Sequence, residues 1–252
     1  MELELTSVLL LAVAGLVAGA INAAAGGGSL VTFPALIAVG LPPLIANVTN
    51  NVAVFPGYVT GALGYREGLG GQGLRIFSLA LVSAVGGLAG VGLVLVSSEA
   101  AFEGVVPFLV LAACALLAAQ PLLGRFIGKR SGLREKPGIG ALAGQAVVAV
   151  YGGYFSAALG VAVLALLGFV FEDTLQRLNA LKALLQLIIG GAAALGFALL
   201  APVDWAAVAI VGTASLAGGQ LGARLAQRVN DRVLRSGIVV YGILAALWLF
   251  TR

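Results

Sequence analysis

The stretch from Gly19 to Gly57, GAINAAAGGGSLVTFPALIAVGLPPLIANVTNNVAVFPG, carries no charged residue and reads as three pieces. An apolar run ends in Gly26-Gly27-Gly28-Ser29. A second apolar run, about 28–40, is too short for the roughly 20 residues that a membrane-crossing helix needs. A third begins after Pro42-Pro43 and presents Asn47, Asn50 and Asn51 at i, i+3 and i+4, on one helix face. Three consecutive glycines cost about 1 kcal/mol each relative to alanine in a continuous helix, so they break it and leave Ser29 near the start of a half-helix. Backbone N–H groups at such a start carry about +0.5 of a charge and favour an anion. A flexible hinge or a tight packing site is the competing reading of the same glycines. The Gly-rich phosphate loops of soluble proteins do not fit, since neither GxGxxG nor GxxxxGK[ST] occurs in a strand–helix unit.

The rest of the chain repeats this pattern. Of 252 residues 61% are hydrophobic and 10% charged, with a mean hydropathy of +1.10, whereas soluble domains carry about 25% charge. These values predict an all-α polytopic membrane protein. Glycine, at 37 residues, is about double its average usage of 7%, which favours close helix contacts and broken backbone. Cys114 is the one cysteine and histidine is absent, excluding an internal disulfide and any His-based zinc site. The N-terminal Met1-Glu2-Leu3-Glu4 lacks a positive region, so the apolar run after it reads as a permanent helix rather than a cleaved signal. Apolar segments lie at about 5–25, 28–40, 44–64, 76–96 and 105–123, then at 139–157, 160–171, 178–200, 205–225 and 237–251.

The stretch 124–138, with Arg125, Lys129, Arg130, Arg134 and Lys136, separates a first membrane repeat (1–123) from a second (139–252). An offset of 132 residues aligns Ser83, Gly86, Gly87 and Gly90 with Ser215, Gly218, Gly219 and Gly222. It also aligns Asn47 with Asn179, Gly28 with Gly160 and Asn50 with Lys182. Equivalent loops have opposite charge character. Loop 65–75 has Arg66 and Arg75 where its mate near 200–206 has Asp204, and loop 97–104 has Glu99 and Glu103 where its mate has Arg228, Arg232 and Arg235. The positive-inside bias then predicts an inverted-topology repeat of about five segments per half, some broken or re-entrant. The basic linker is cytoplasmic in this reading and both termini are outside. It places Arg66, Arg75, Arg224, Arg228, Arg232, Arg235 and the five linker cations on the inner side.

Few polar side chains remain inside the segments. They are Asn22, Ser29 and the Asn47/Thr49/Asn50/Asn51 face in the first half, then Tyr151, Tyr154, Ser156, Arg177, Asn179, Lys182 and Gln186 in the second. Asn179, Lys182 and Gln186, at i, i+3 and i+7, share a face that corresponds to the asparagine face, and the two predict one lined cavity. A lysine at a helix centre costs about 2.5–3.5 kcal/mol on insertion scales, so Lys182 is expected to face protein, water or an anion. It alternatively snorkels, or pairs with Glu172 or Asp173. No carboxylate sits mid-segment, which weighs against a buried proton relay and leaves only Glu172 and Asp173 to titrate with transport. No metal cluster and no nucleophile–base set is apparent, so no catalytic or metal residues and no cofactor are expected.

The Gly19–Gly57 stretch, together with YGGYFSAALG (Tyr151–Gly160) and RLNALKALLQ (Arg177–Gln186), resembles the sulfite exporter TauE/SafE family, also called the toluene-sulfonate uptake permease family. The resemblance covers essentially the whole chain. It implies an inner-membrane carrier of small sulfur-containing anions such as sulfite and sulfonates. It also implies Gly26, Gly27, Gly28, Asn47, Asn50, Asn179 and Lys182 as site residues. One departure is Ser156-Ala157-Ala158, where relatives often carry more glycine.

The expected function is secondary transport of such an anion by alternating access. The candidate binding residues are Asn22, Gly26, Gly27, Gly28, Ser29, Asn47, Asn50, Asn51, Tyr154, Ser156, Asn179, Lys182 and Gln186. Expected partners are the anion, the lipid bilayer and a coupling proton or cation, without nucleic acid; oligomeric state, anion identity and direction stay open. A passive anion channel and a structural membrane subunit are the competing classes.

Overall fold

The computed structural model describes residues 4–24, 26–126, 137–225 and 231–251. The described residues form ten α-helices and one 3-10 turn, with no strand. In order these are α1 (Leu5–Ala24), α2 (Ser29–Ala38), α3 (Pro43–Gly64), the 3-10 turn Arg66–Leu69, α4 (Gly73–Val96) and α5 (Glu99–Phe126). The second half has α6 (Ile139–Tyr154), α7 (Leu159–Val170), α8 (Leu175–Leu200), α9 (Trp205–Leu225) and α10 (Asp231–Phe250). Every segment expected from the sequence is a helix, including both short ones. Most of the linker 124–138 and Arg228 lie outside the described residues, as do the side chains of Arg125, Arg224 and Arg232.

Three residues expected in loops are helical. Glu99 and Glu103 belong to the start of α5 rather than to a loop. Arg75 belongs to the first turn of α4 and is buried. It has a partner there, so it is not a free loop charge of the kind that sets orientation.

Local sequence explains the helix ends. Pro43 opens α3 at N1, where its missing N–H costs nothing. Thr174 caps α8 by accepting the Arg177 N–H. Gly26 adopts φ +79° between α1 and α2, a left-handed conformation that glycine enters without penalty. The second break, between α6 and α7, puts Ser156 at φ 61° and Ala158 at φ 53°, without glycine.

Large apolar side chains point outward, such as Phe77, Val96, Phe169 and Leu199, whereas Asn47, Ser83, Gln145 and Ser215 are fully buried. That distribution suits a lipid solvent, in which polar groups must find partners inside the protein. Leu5–Asn22, Gly73–Val96, Glu99–Pro121 and Leu175–Leu200 are each long and apolar enough to cross a membrane.

Helix pairings match when the halves are exchanged. α1 packs along α9 as α6 packs along α4, and α3 meets α9 as α8 meets α4. α3 packs on α8, and α5 on α10. Small residues permit the tightest contacts. A Cβ on Gly153 would overlap the Gly87 carbonyl oxygen, and one on Gly218 would overlap that of Leu16.

Candidate functional site

α3 and α8 run antiparallel through the middle of the molecule. Gly68, just beyond the end of α3, lies against Ala180, Tyr65 under Lys182, Tyr58 against Gly190, and Val48 beside Phe197. The half-helices α2 and α7 start near the middle of this pair. They are ten and 12 residues long, so each spans about half of a 30 Å hydrocarbon core. α2 leads to the end where α3 begins, and α7 to the end where α8 begins. Because α3 and α8 are antiparallel, those ends are opposite.

The two helix breaks touch. A Cβ on Gly26 would stand 2.9 Å from Gly160 Cα, and one on Gly160 would stand 2.8 Å from Gln186 Oε1. Each break is braced by a polar side chain of the helix before it. Gly28 N–H donates to Asn22 Oδ1 at 2.8 Å, and the Tyr151 hydroxyl donates to the Ala157 carbonyl. Phe33 of α2 meets Phe155 of the second break edge to face, 5.1 Å between centroids.

Above this junction lies the hydroxyl of buried Tyr58, among the side chains of Ser29, Ser156 and Gln186. Ser156 Oγ stands beside that hydroxyl yet makes no hydrogen bond. Asn22 Nδ2 and Asn50 Nδ2 are likewise buried N–H donors without acceptors. Buried polar groups are normally paired, so the two unpaired ones at the junction, with Asn50 Nδ2 farther along α3, point to a missing partner. The junction thus brings together Asn22, Gly26, Gly28, Ser29, Ser156 and Gln186 of the expected set. Gly27 instead faces Leu117 of α5.

The remaining candidates divide between two outer zones. On the side where α3 begins, Asn47 Nδ2 donates to the Tyr154 carbonyl at 2.8 Å, and Asn51 Nδ2 to the Asn47 carbonyl at 3.0 Å. Thr32 donates to Asn50 Oδ1. Thr49 Oγ1 accepts the Asp204 N–H at 3.0 Å. On the other side, Lys182 is buried with its Nζ 5.9 Å from the Tyr65 ring centroid, and Asn179 is partly buried one turn earlier. Asn50 and Lys182 are therefore separated along the helix axes by on the order of 20 Å at 1.5 Å per residue. The asparagine face and Lys182 thus lie at different heights along the α3–α8 pair rather than opposite one another. Antiparallel packing carries equivalent positions to opposite sides of the crossing.

Asp173 does not pair with Lys182. Its carboxylate bridges Arg75 at 2.7 Å and Arg177 at 2.9 Å. Burial pushes the carboxyl up, but the Thr174 N–H and the Arg177 and Arg75 guanidinium groups outweigh it and hold it below the ordinary carboxylate range. Arg75 also stacks on Phe171, and Arg177 donates to the Gly70 carbonyl. This ionic cap joins the two halves beyond Lys182. Among the described residues no carboxylate stands within ion-pair distance of the Lys182 amine.

Tyr58, Thr32 and Gly160 were absent from the expected set. Tyr58 follows Asn51 by seven residues and Asn47 by 11 on the same face of α3, so extending that polar stripe reaches it. Thr32 carries no such signal, because its role depends on Asn50 meeting α2.

The sequence profile of the sulfite exporter TauE/SafE family matches residues 11–249. A Sinorhizobium protein called probable membrane transporter protein ORF9 is 29% identical, covering 93% of this chain and 89% of its own. A probable membrane transporter protein of Haemophilus influenzae is 26% identical over 95% of this chain and 93% of its own. The Escherichia coli K12 probable membrane transporter protein YfcA is 28% identical over 95% and 89%. No solved structure matches the chain.

Proposed function

The chain belongs to the sulfite exporter TauE/SafE family, and from that premise we propose that this membrane transporter carries a small sulfur-containing oxyanion, sulfite or a sulfonate, by alternating access. The observation that carries the reading is Lys182, a buried amine on a membrane helix whose nearest sequence carboxylate partner, Asp173, is already held by Arg75 and Arg177. An unpaired cation inside a membrane protein marks a path for anions. The unpaired Nδ2 groups of Asn22 and Asn50 supply further donors, and the starts of the broken helices favour negative charge.

In this reading the halves form an inverted repeat, and one rocks against the other around the α3–α8 crossing. Support comes from the exchange-matched helix pairings and from half-helices that leave the middle in opposite directions. The protein sits in the inner membrane with the linker 124–138 in the cytoplasm, and the ionic cap Arg75–Asp173–Arg177 closes the path on the linker side.

Counterflow in proteoliposomes tests the proposal. Wild-type protein is expected to show saturable, trans-stimulated flux of labelled sulfite or sulfonate. Lys182→Ala is expected to lower it by about tenfold or more, as loss of a charge that concentrates anions in the path does. Flux at wild-type level in that variant removes Lys182 from the path, and linear flux without counterflow makes the protein a channel.

A further inference from the structure

We propose that the anion rests at the junction of the two half-helices, held by neutral donors around Tyr58, and that this seat takes a singly charged tetrahedral oxyanion of the sulfonate class. The inference builds on the reading that the chain carries a sulfur oxyanion. It moves the resting place away from Lys182 and names the residue that selects the ligand.

Three observations converge. Ser156 is 2% exposed, its Oγ has no partner, and it lies in the turn that leads into α7. Tyr58, 5% exposed, reaches both breaks at once, its hydroxyl near Ser29 at the first position of α2 and Ser156 before α7. Asn22 Nδ2, on the side chain that braces the first break, is a second buried donor without an acceptor. Gly190 leaves the room that the Tyr58 ring occupies, since a Cβ there would overlap the ring.

Charge then decides the ligand. Two helix starts, each about +0.5, offer about one positive charge at the junction. Lys182 stands one turn beyond Gln186, about 6 Å farther along α8, and its amine is turned to Tyr65. A monoanion is matched by the junction, whereas a dianion needs a further positive charge in the low-dielectric seat, and the Lys182 amine is turned away to Tyr65. Neutral hydroxyl and amide donors suit a sulfonate head, whose three oxygens each accept hydrogen bonds. Lys182 in this scheme raises the local anion concentration on the linker side and sets the rate of entry.

The test measures binding and uptake separately on the full-length purified protein. Methanesulfonate is expected to raise the thermal midpoint of the wild type in a dose-dependent manner, and sulfate to leave it unchanged. Tyr58→Phe, which removes one oxygen, is expected to weaken methanesulfonate binding about 10- to 100-fold, the worth of a hydrogen bond to a charged group. Ser156→Ala serves as a second variant with the same direction. Lys182→Gln is expected to slow uptake and flatten its salt dependence, and to weaken methanesulfonate binding less than Tyr58→Phe does, since its amine is turned away from the seat to Tyr65. Loss of methanesulfonate binding in Lys182→Gln with wild-type binding in Tyr58→Phe overturns the seat, as does sulfate binding equal to methanesulfonate. A wild type that responds to none of methanesulfonate, sulfite, thiosulfate or sulfate overturns the oxyanion reading itself, a separate result.

Discussion

Among the described residues, Ser156 combines two departures from ordinary residue chemistry. It holds a left-handed backbone at φ 61° without being glycine, and its hydroxyl is buried without a partner. Left-handed backbone costs an L-residue about 1–2 kcal/mol, and such strain gathers where a site needs it. Ser156→Gly is therefore expected to raise the thermal midpoint, by the equivalent of about 1 kcal/mol from relieved strain. The same change is expected to weaken anion binding. A variant that is both less stable and normal in binding would contradict this. The first break was legible because Gly26-Gly27-Gly28 announces itself. The second was legible only as the gap between segments 139–157 and 160–171, because Ser156-Ala157-Ala158 has no glycine to mark it. It is imposed by the Tyr151 hydroxyl on the Ala157 carbonyl and by Gly160 seated on Gly26.

At the scale of elements, two helix pairs carry the closest packing, α1 with α9 and α4 with α6. Without a hydrophobic drive in lipid, such pairs depend on small residues that let backbones approach. Gly153→Ala is expected to cost about 1–3 kcal/mol, as overpacking does, because the new methyl overlaps the Gly87 carbonyl oxygen. Gly92→Ala, on α4 with open space around it, is expected to gain up to about 1 kcal/mol from helix propensity. Thermal unfolding of the two variants in one detergent checks both signs. The small-xxx-small spacing exposed Gly86 and Gly90 in the sequence. Their partners on α6 were hidden, since any apolar helix can receive a glycine stripe.

For the whole molecule, α4 has 24 residues, about 36 Å, so its two ends lie on opposite sides of a bilayer. With the linker inside, cysteine at Ser98 is expected to react with a membrane-impermeant thiol reagent in intact cells. Cysteine at Glu67 is expected to react only after permeabilisation. Cys114 is buried and contributes no background. Reaction of the Glu67 variant from outside and of Ser98 only after permeabilisation reverses the assigned orientation, and with it the cytoplasmic linker.

Composition sufficed to establish the solvent. With 10% charge set mostly between ten apolar segments, most of them longer than a barrel strand, helices satisfy every backbone group in lipid, and helices are what form among the described residues. Side-chain spacing sufficed to put Asn47, Asn50 and Asn51 on one face. Which groups meet is another matter, because pairing across the fold is blind to distance along the chain. Asp173, nine residues from Lys182, is taken by Arg75, 98 residues away. Asn50 and Lys182, equivalent by repeat, end on opposite sides because their helices cross antiparallel. Tyr58 joins the two breaks only because α3 passes over them. Those choices belong to packing, where each buried polar group settles with whichever partner the surrounding helices bring within reach.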